Sequence, residues 1–366
     1  MIMVASCFES VTQSVDGTTA TWTYDNIYRL TGQTKPTQVA TYTMDPVGNL
    51  LVMWEGGAAP KTMTYDATSR ITTMAEGANL TTYTYTSYNA LESETQGERI
   101  TSYSYNGQDQ LILVTPPNNR KSTYTFDGDG MRRTAQEGNV LPTTMVWEGS
   151  DYLQIVGPST AQTVLTVESE ILASGSKDLL TDPLGSLVKE VSSGASLGSL
   201  IENYPYGKAV SGTGTPTTPW VYIGASGYCR DAADRDYVRA RELYKTLGRW
   251  MQVDPLWPKK VSSPYRYPKP NNTVDPSGLQ AIPWPFCLSC DSFPGGPCAW
   301  AQTFLLGKSV WDVLAADTLR DSCCNMTFYC NLTKNQPDSF YEKICESRFG
   351  VNWKSDCEKK QSGQRN

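Results

Sequence analysis

The stretch from Tyr237 to Leu279 concentrates the residue types that can do acid–base chemistry. It reads Tyr237-Val-Arg-Ala-Arg241, Leu247-Gly-Arg-Trp250, Val253-Asp-Pro-Leu256, Ser263-Pro-Tyr-Arg-Tyr267 and Asn271-Asn-Thr-Val-Asp-Pro-Ser-Gly-Leu279. Two Asp-Pro dipeptides, at Asp254 and Asp275, stand 21 residues apart. Two carboxylates held close in a low-dielectric site do not both ionise, and such a pair keeps one proton near neutrality. One member then takes a proton from water while the other donates to a carbonyl oxygen or a leaving amine. Arg241 is placed to hold a carboxylate or to offset developing negative charge. The plainer reading is that Asp-Pro starts turns, and that Asp254 holds a loop. Arg239 and Arg249 are close neighbours that fit buried ion pairs equally well, and Tyr237 and Trp250 read as core.

Composition narrows the alternatives. The chain has 366 residues, enough for two or three domains, and contains no histidine. That removes histidine-based triads, histidine-ligated metals and histidine pH switches. A net charge of −6 is a poor match to nonspecific nucleic-acid binding. No apolar run is long enough to span a bilayer, and the first residues lack the pattern of a secretory signal. The same start would be seen in a fragment of a longer array.

A repeat of about twenty residues must supply the frame. Tyr24, Met44, Tyr65, Tyr85, Tyr105 and Phe126 recur at intervals of 20, 21, 20, 20 and 21. Two residues before each stands another large side chain: Trp22, Tyr42, Met63, Tyr83, Tyr103 and Tyr124. A hydroxyl residue always separates the two. Large, small polar, large is the period of a strand with one apolar face. After the anchor comes Asp25, Asp45, Asp66, Asn106 or Asp127, side chains that hold turns, with Thr86 as the exception. Leu30, Leu50, Ile71, Leu91 and Leu111 follow six residues after the anchor, and Arg132 breaks this series. Each unit reads as a β-hairpin. One hairpin cannot bury its apolar face alone, so the hairpins must pair into a long, twisting sheet.

These units resemble the tyrosine-aspartate (YD) repeats of the RHS family, and the resemblance extends in some form over residues 16–279. Leu180-Thr-Asp-Pro-Leu-Gly-Ser186, Tyr204-Pro-Tyr-Gly207, Gly224-Ala-Ser-Gly-Tyr228 and above all 237–279 resemble landmarks of the RHS repeat-associated core. Pro183 stands where the family usually has a histidine. The resemblance implies a mainly β fold, with YD hairpins winding into a partial shell around a C-terminal effector. It implies three regions: repeats over 1–143, a repeat-associated core over 144–279, and a variable tail over 280–366. It also implies an aspartic-type autoprotease of the polymorphic toxin kind, with Asp254 and Asp275 as catalytic carboxylates and Arg241 in support. The cut would fall between Leu279 and Gln280. A Pro-Ser-Gly turn after Asp275 would fold the chain back onto the dyad, and a tethered substrate needs only a modest catalyst for one turnover. Six units are few for this family, so the chain is expected to be the end of a larger product, or its cavity open.

The tail changes character. Eight of the ten cysteines lie there: Cys287, Cys290, Cys298, Cys323, Cys324, Cys330, Cys345 and Cys357. An even number in a short segment reads as a disulfide framework in an oxidising destination. Apolar stripes from Trp300 to Leu319 and from Phe340 to Phe349 add two short helices, so the tail is expected to be a small, partly helical, disulfide-rich module. Cys287 and Cys290 lack the matched second pair a zinc site needs. The stretch from Cys323 to Cys330 is faintly similar to secreted phospholipase A2 modules, whose histidine-aspartate mechanism is impossible here. Charges in the tail balance, so no basic nuclease surface is expected. No cofactor or metal is expected. The expected partners are the tail itself as cargo, an immunity protein and a secretion apparatus, at a secreted or cell-surface location reached by a route the chain does not encode. The alternative is a structural surface protein, adhesive or scaffolding, that never cuts itself.

Overall fold

A computed structural model describes residues 10–15, 18–57, 59–192, 195–232, 234–255, 263–267, 270, 273–279 and 282–283. The tail cysteines, the tail helices, Gln280 and Cys7 lie outside the described residues. What is described is mainly β. Strand β1 (Ser10–Val15) is followed by six hairpins. They are β2 (Thr18–Tyr24) with β3 (Leu30–Lys35), β4 (Gln38–Met44) with β5 (Leu50–Glu55), and β6 (Lys61–Tyr65) with β7 (Ile71–Glu76). Then come β8 (Asn79–Tyr85) with β9 (Leu91–Gln96), β10 (Arg99–Tyr105) with β11 (Leu111–Thr115), and β12 (Ser122–Phe126) with β13 (Arg132–Glu137). Each hairpin is one sequence unit, and each strand pairs antiparallel with the next.

The ladder does not stop where the twenty-residue spacing stops. β13 pairs with β14 (Thr143–Glu148) through Thr134 and Thr144. The meander then continues through β15 (Asp151–Val156), β16 (Ala161–Val167), β17 (Glu170–Ser174), β18 (Lys177–Thr181), β19 (Leu187–Ser192) and β20 (Ser196–Leu197), giving one 20-stranded sheet.

Two local devices recur. The first is the turn. The Asp25 carboxylate accepts the Ile27 and Arg29 amides at 3.1 and 2.8 Å, and Asp66 does the same for Thr68 and Arg70 at 2.9 and 3.0 Å. Thr86, the exception in sequence, accepts the Ala90 amide on its hydroxyl at 3.1 Å. The second is a register shift immediately before each anchor, as between Thr43 and Met44 or Thr84 and Tyr85. Such bulges increase local twist. They also separate the two large residues of each unit: Tyr42, Met63, Tyr83, Tyr103 and Tyr124 are buried, while the anchors pack at the margin of the same core. The opposite face is polar, with Thr41, Thr43, Thr62, Thr64, Thr82 and Thr84 exposed.

A segment after the last strands reaches back to an early one. The Ile201 amide donates to the Val188 carbonyl of β19 at 2.8 Å, and the side chain of the next residue, Glu202, accepts from Gln38 of β4 at 3.3 Å. Residues 201 and 202 thus link β19 to β4, the first through its backbone and the second through its side chain.

The apolar face of the sheet is covered by the described residues between 201 and 279. Lys61 Nζ donates to the Thr246 carbonyl, Arg249 to the Ser69 carbonyl, Tyr265 to the Asn89 carbonyl and Tyr244 to Glu94. Trp220 stacks edge-on against Tyr152 with centroids 4.6 Å apart. Two apolar clusters result, and Phe126 and Ala135 touch both. Arg132 sits at their join, 1% exposed, in the position aliphatic residues hold in the other units. Its guanidinium bonds Glu242, and Asp231 at 3.1 Å, and lies 4.1 and 4.0 Å from the ring centres of Tyr124 and Tyr237. The residue that interrupts the sequence pattern is therefore one that ties the repeats to the filling. Cys229 is free and buried, and burial pushes its thiol up to about 12, far from a reactive thiolate. Among the described residues no helix is long and apolar enough to cross a membrane.

Candidate active site

Strands β21 (Cys229–Ala232), β22 (Arg235–Val238), β23 (Arg241–Tyr244) and β24 (Arg249–Trp250) form a small antiparallel sheet within the filling. All residues of β22 and β23 are buried, so these strands are covered on both faces. Arg241 opens β23 and points its charge into this covered interior at 2% exposure. Its Cζ lies 4.4 Å from the ring centre of Trp250. Burial lowers its pKa, a penalty that Asp254 and then Asp275 oppose.

Both sequence-predicted acids come to this one guanidinium. Arg241 Nη1 lies 3.1 Å from Asp254 Oδ2, and Nη2 lies 3.2 Å from Asp275 Oδ2. The acids are 5% and 1% exposed. A two-pronged arginine matches this task because its donors diverge at fixed angles. Asp254 is carried on the segment after β24, whose course is fixed by its amide on the Pro264 carbonyl at 2.8 Å. Asp275 directly follows β25 (Thr273–Val274), which pairs with β26 (Ile282–Pro283). The backbone of Asp275 is held on both sides by one hydroxyl: Tyr228 donates to its carbonyl at 3.0 Å and accepts its amide at 3.2 Å.

The turn expected after Asp275 is present. The Asp275 carboxylate accepts the Leu279 amide at 3.0 Å and the Ser277 hydroxyl at 3.3 Å, and the Gly278 amide returns to the Asp275 carbonyl at 3.3 Å. Arg241 Nε donates to the Gly278 carbonyl. The Gly278–Leu279 peptide unit is thus gripped at both polar ends, by the arginine and by the acid it binds. This unit is one residue before the bond named from sequence, and Leu279 is half-buried. Gly278 has φ +69°, and a Cβ on it would fall on the Val238 carbonyl oxygen, so the site demands glycine twice over.

Sequence reasoning named Asp254, Asp275 and Arg241, and the structure brings all three together. The guanidinium of Arg241 lies between the two acids and faces both of them. Sequence reasoning missed Tyr228, although the Gly224–Tyr228 landmark contains it. It also missed the use of Arg239, noted only as a neighbour. Arg249 lies elsewhere, 4.9 Å from the ring centres of both Tyr65 and Tyr265. Among the described residues no cluster of metal-ligating side chains occurs.

No family model matches this sequence, and no curated protein does. Similar solved structures include TcdB2-TccC3 without its hypervariable C-terminal region, at 16% identity and TM-score 0.40 over 72% of this chain. The Photorhabdus luminescens Tc holotoxin pore gives the same values. A porin-like protein from Bacteroides uniformis gives 12% identity and TM-score 0.26 over 54% of this chain and 92% of that one. The chain spans 18% of the length of the two toxin structures. At these TM-scores the likenesses decide nothing, and the functional reading rests on residues and distances.

Proposed function

We propose that this chain is the closing part of an RHS-type β-shell and a single-turnover aspartic-type autoprotease. It cuts between Leu279 and Gln280 and frees residues 280–366 as effector cargo. The observation that carries this reading is the convergence of Asp254 and Asp275 on Arg241, with the Gly278–Leu279 peptide unit held by the same groups. One acid takes a proton from water as its oxygen attacks the Leu279 carbonyl, and the other delivers a proton to the Gln280 nitrogen as the peptide bond breaks. Arg241 offsets the negative charge that builds on the substrate and acids. The products are a Leu279 carboxylate and a Gln280 amine. Tethering gives the substrate a high effective concentration, so no separate binding site is needed. Under this reading the repeat-associated core begins near residue 144, the freed tail meets an immunity protein in its producer, and the shell leaves the cell through a secretion apparatus.

The depth of burial of both acids favours a second reading, a scaffold in which the triplet is a structural tie that water never reaches. Denaturing electrophoresis of the full chain separates the two. Autoproteolysis gives a fragment of residues 280–366 without added protease, and Asp254→Asn abolishes it while leaving circular dichroism unchanged. Full-length protein throughout supports the scaffold.

A further inference from the structure

We propose that Arg239 is the positioning residue of the junction: it fixes the register in which the chain before Leu279 is presented to Asp254 and Asp275. The proposal rests on the autoproteolytic reading for its consequence, but on geometry for its substance. Residues 239–241 bind three consecutive carbonyls of the junction. Arg239 Nη1 donates to Pro276, the Ala240 amide to Ser277 at 3.1 Å, and Arg241 Nε to Gly278. A run of three pairings, residue against residue, sets register in the way a short strand pair does.

Arg239 connects this clamp directly to the surrounding wall. Its Nη1 also donates to the Ser226 carbonyl at 3.2 Å. Its Nε and Nη2 reach the Ser150 carbonyl between β14 and β15, at 3.1 and 2.9 Å. One guanidinium thus spends its donors on carbonyls from three separate segments. It packs against Gly227, where any Cβ would meet Nη2 at 2.8 Å, and lies 5.9 Å from the Tyr152 ring centre. The junction is thereby tied to the sheet.

The backbone argues the same way. Arg239 and Ala240 are the two loop residues of the β22–β23 hairpin, and Arg239 has φ +51°. Glycine is the usual residue at a positive-φ loop position, and a non-glycine residue there is strained. An arginine that holds this position against its backbone preference is used through its side chain. A purely structural turn would be improved by glycine.

That contrast supplies the test, made on the full chain. Arg239→Gly relieves the turn and deletes the guanidinium. Release of residues 280–366 is expected to slow about 10- to 100-fold, and intact mass is expected to show fragments cut at more than one bond. The thermal midpoint should stay within a few degrees of the parent. Arg239→Lys, which keeps charge but loses the fork, should fall between the two. Gly278→Ala, which wedges the clamp from the other side, should give the same loss of register. The clamp is also read without cleavage. In Asp254→Asn protein, hydrogen exchange at the Gly278 and Leu279 amides should accelerate about tenfold or more on adding Arg239→Gly. Unchanged exchange in that background, or wild-type release at a single bond by Arg239→Gly, overturns the proposal. Faster exchange in a protein that never cuts itself sustains the clamp and removes the autoproteolytic reading.

Discussion

The repeat sheet and the segment that covers it solve the same problem in opposite ways. In the sheet, the turn side chains are satisfied within their own turn or by the same turn of the next unit, as Arg29 is by the Asp45 carbonyl and Asn49 by Ser69. Asp25 holds Arg29, and Asp66 holds Arg70, at 2.6 Å and four residues apart on partly exposed turns. Among the described residues from 201 to 279, charged groups are buried and find their partners on other segments or on the sheet, not within a turn. Arg132 meets Glu242, Arg241 meets Asp254 and Asp275, and Lys245 meets Asp236 at 2.6 Å. Satisfaction within a turn or by the next turn makes each hairpin a unit that can be repeated. Long-range satisfaction makes the filling a single piece in which each charge depends on the others. A site that must assemble two acids from distant segments needs the second kind of architecture.

The largest effect expected is on the triplet. Asp275→Asn removes a carboxylate that also holds the Leu279 amide, and fragment release is expected to drop by at least about 100-fold, the usual scale for a lost acid–base group. A timed gel series measures this, and an unchanged rate would take Asp275 out of the chemistry.

Next comes the tie between the regions. Arg132→Leu restores the aliphatic residue of the other units but strands Glu242 and Asp231. Breaking a buried pair from one side costs about 3–5 kcal/mol. Urea denaturation should show that loss, and adding Glu242→Gln should recover part of it. If Arg132→Leu alone were neutral, the two regions would not be coupled through this residue.

The two regions should also respond oppositely to pH. Burial lifts the Glu242 carboxyl to about 8 against the opposing pull of Arg132. A folded value above the ordinary 4.5 means the group's contribution is full below that value and is lost as pH rises toward 8. Asp66 behaves in reverse. Burial pushes it up, but hydrogen bonds from Arg70 and Thr68 outweigh this and hold its carboxyl at about 2. Its contribution is present above the ordinary 3.8 and is lost as pH falls toward 2. Denaturant midpoints across pH should therefore decline at both ends, and Glu242→Gln should flatten the alkaline side only.

The smallest effect belongs to the turns. Arg70→Ala breaks a partly exposed pair with Asp66 and an exposed bond to Asn89 of the next turn, and exposed pairs are worth less than about 1 kcal/mol. A larger loss in a denaturation series would mean that the bond to Asn89 couples neighbouring turns more strongly than an exposed contact does.

Much of the sheet was legible because its code is local. An anchor, a hydroxyl, a turn residue and an aliphatic recur at fixed offsets, and each acts on its near neighbours. The hairpins after Thr143 escaped because their register shifts fall before Trp147, Thr166 and Thr181, at spacings that no longer repeat. Pairing continues there although the anchor code does not. Arg132 was visible as an exception, but nothing local names Glu242 as its partner. Asp254, Asp275 and Arg241 were legible only as a motif, since spacing alone cannot say that residues so far apart converge. Arg239 was invisible because its partners are backbone carbonyls, which carry no residue type.

One event at one bond separates a cargo carrier from a scaffold. Intact-mass measurement of freshly purified full chain, beside Asp254→Asn protein, reads it directly. The prediction is a species beginning at Gln280 in the parent and none in the variant. Identical, uncut masses in both, with both proteins folded, would contradict it.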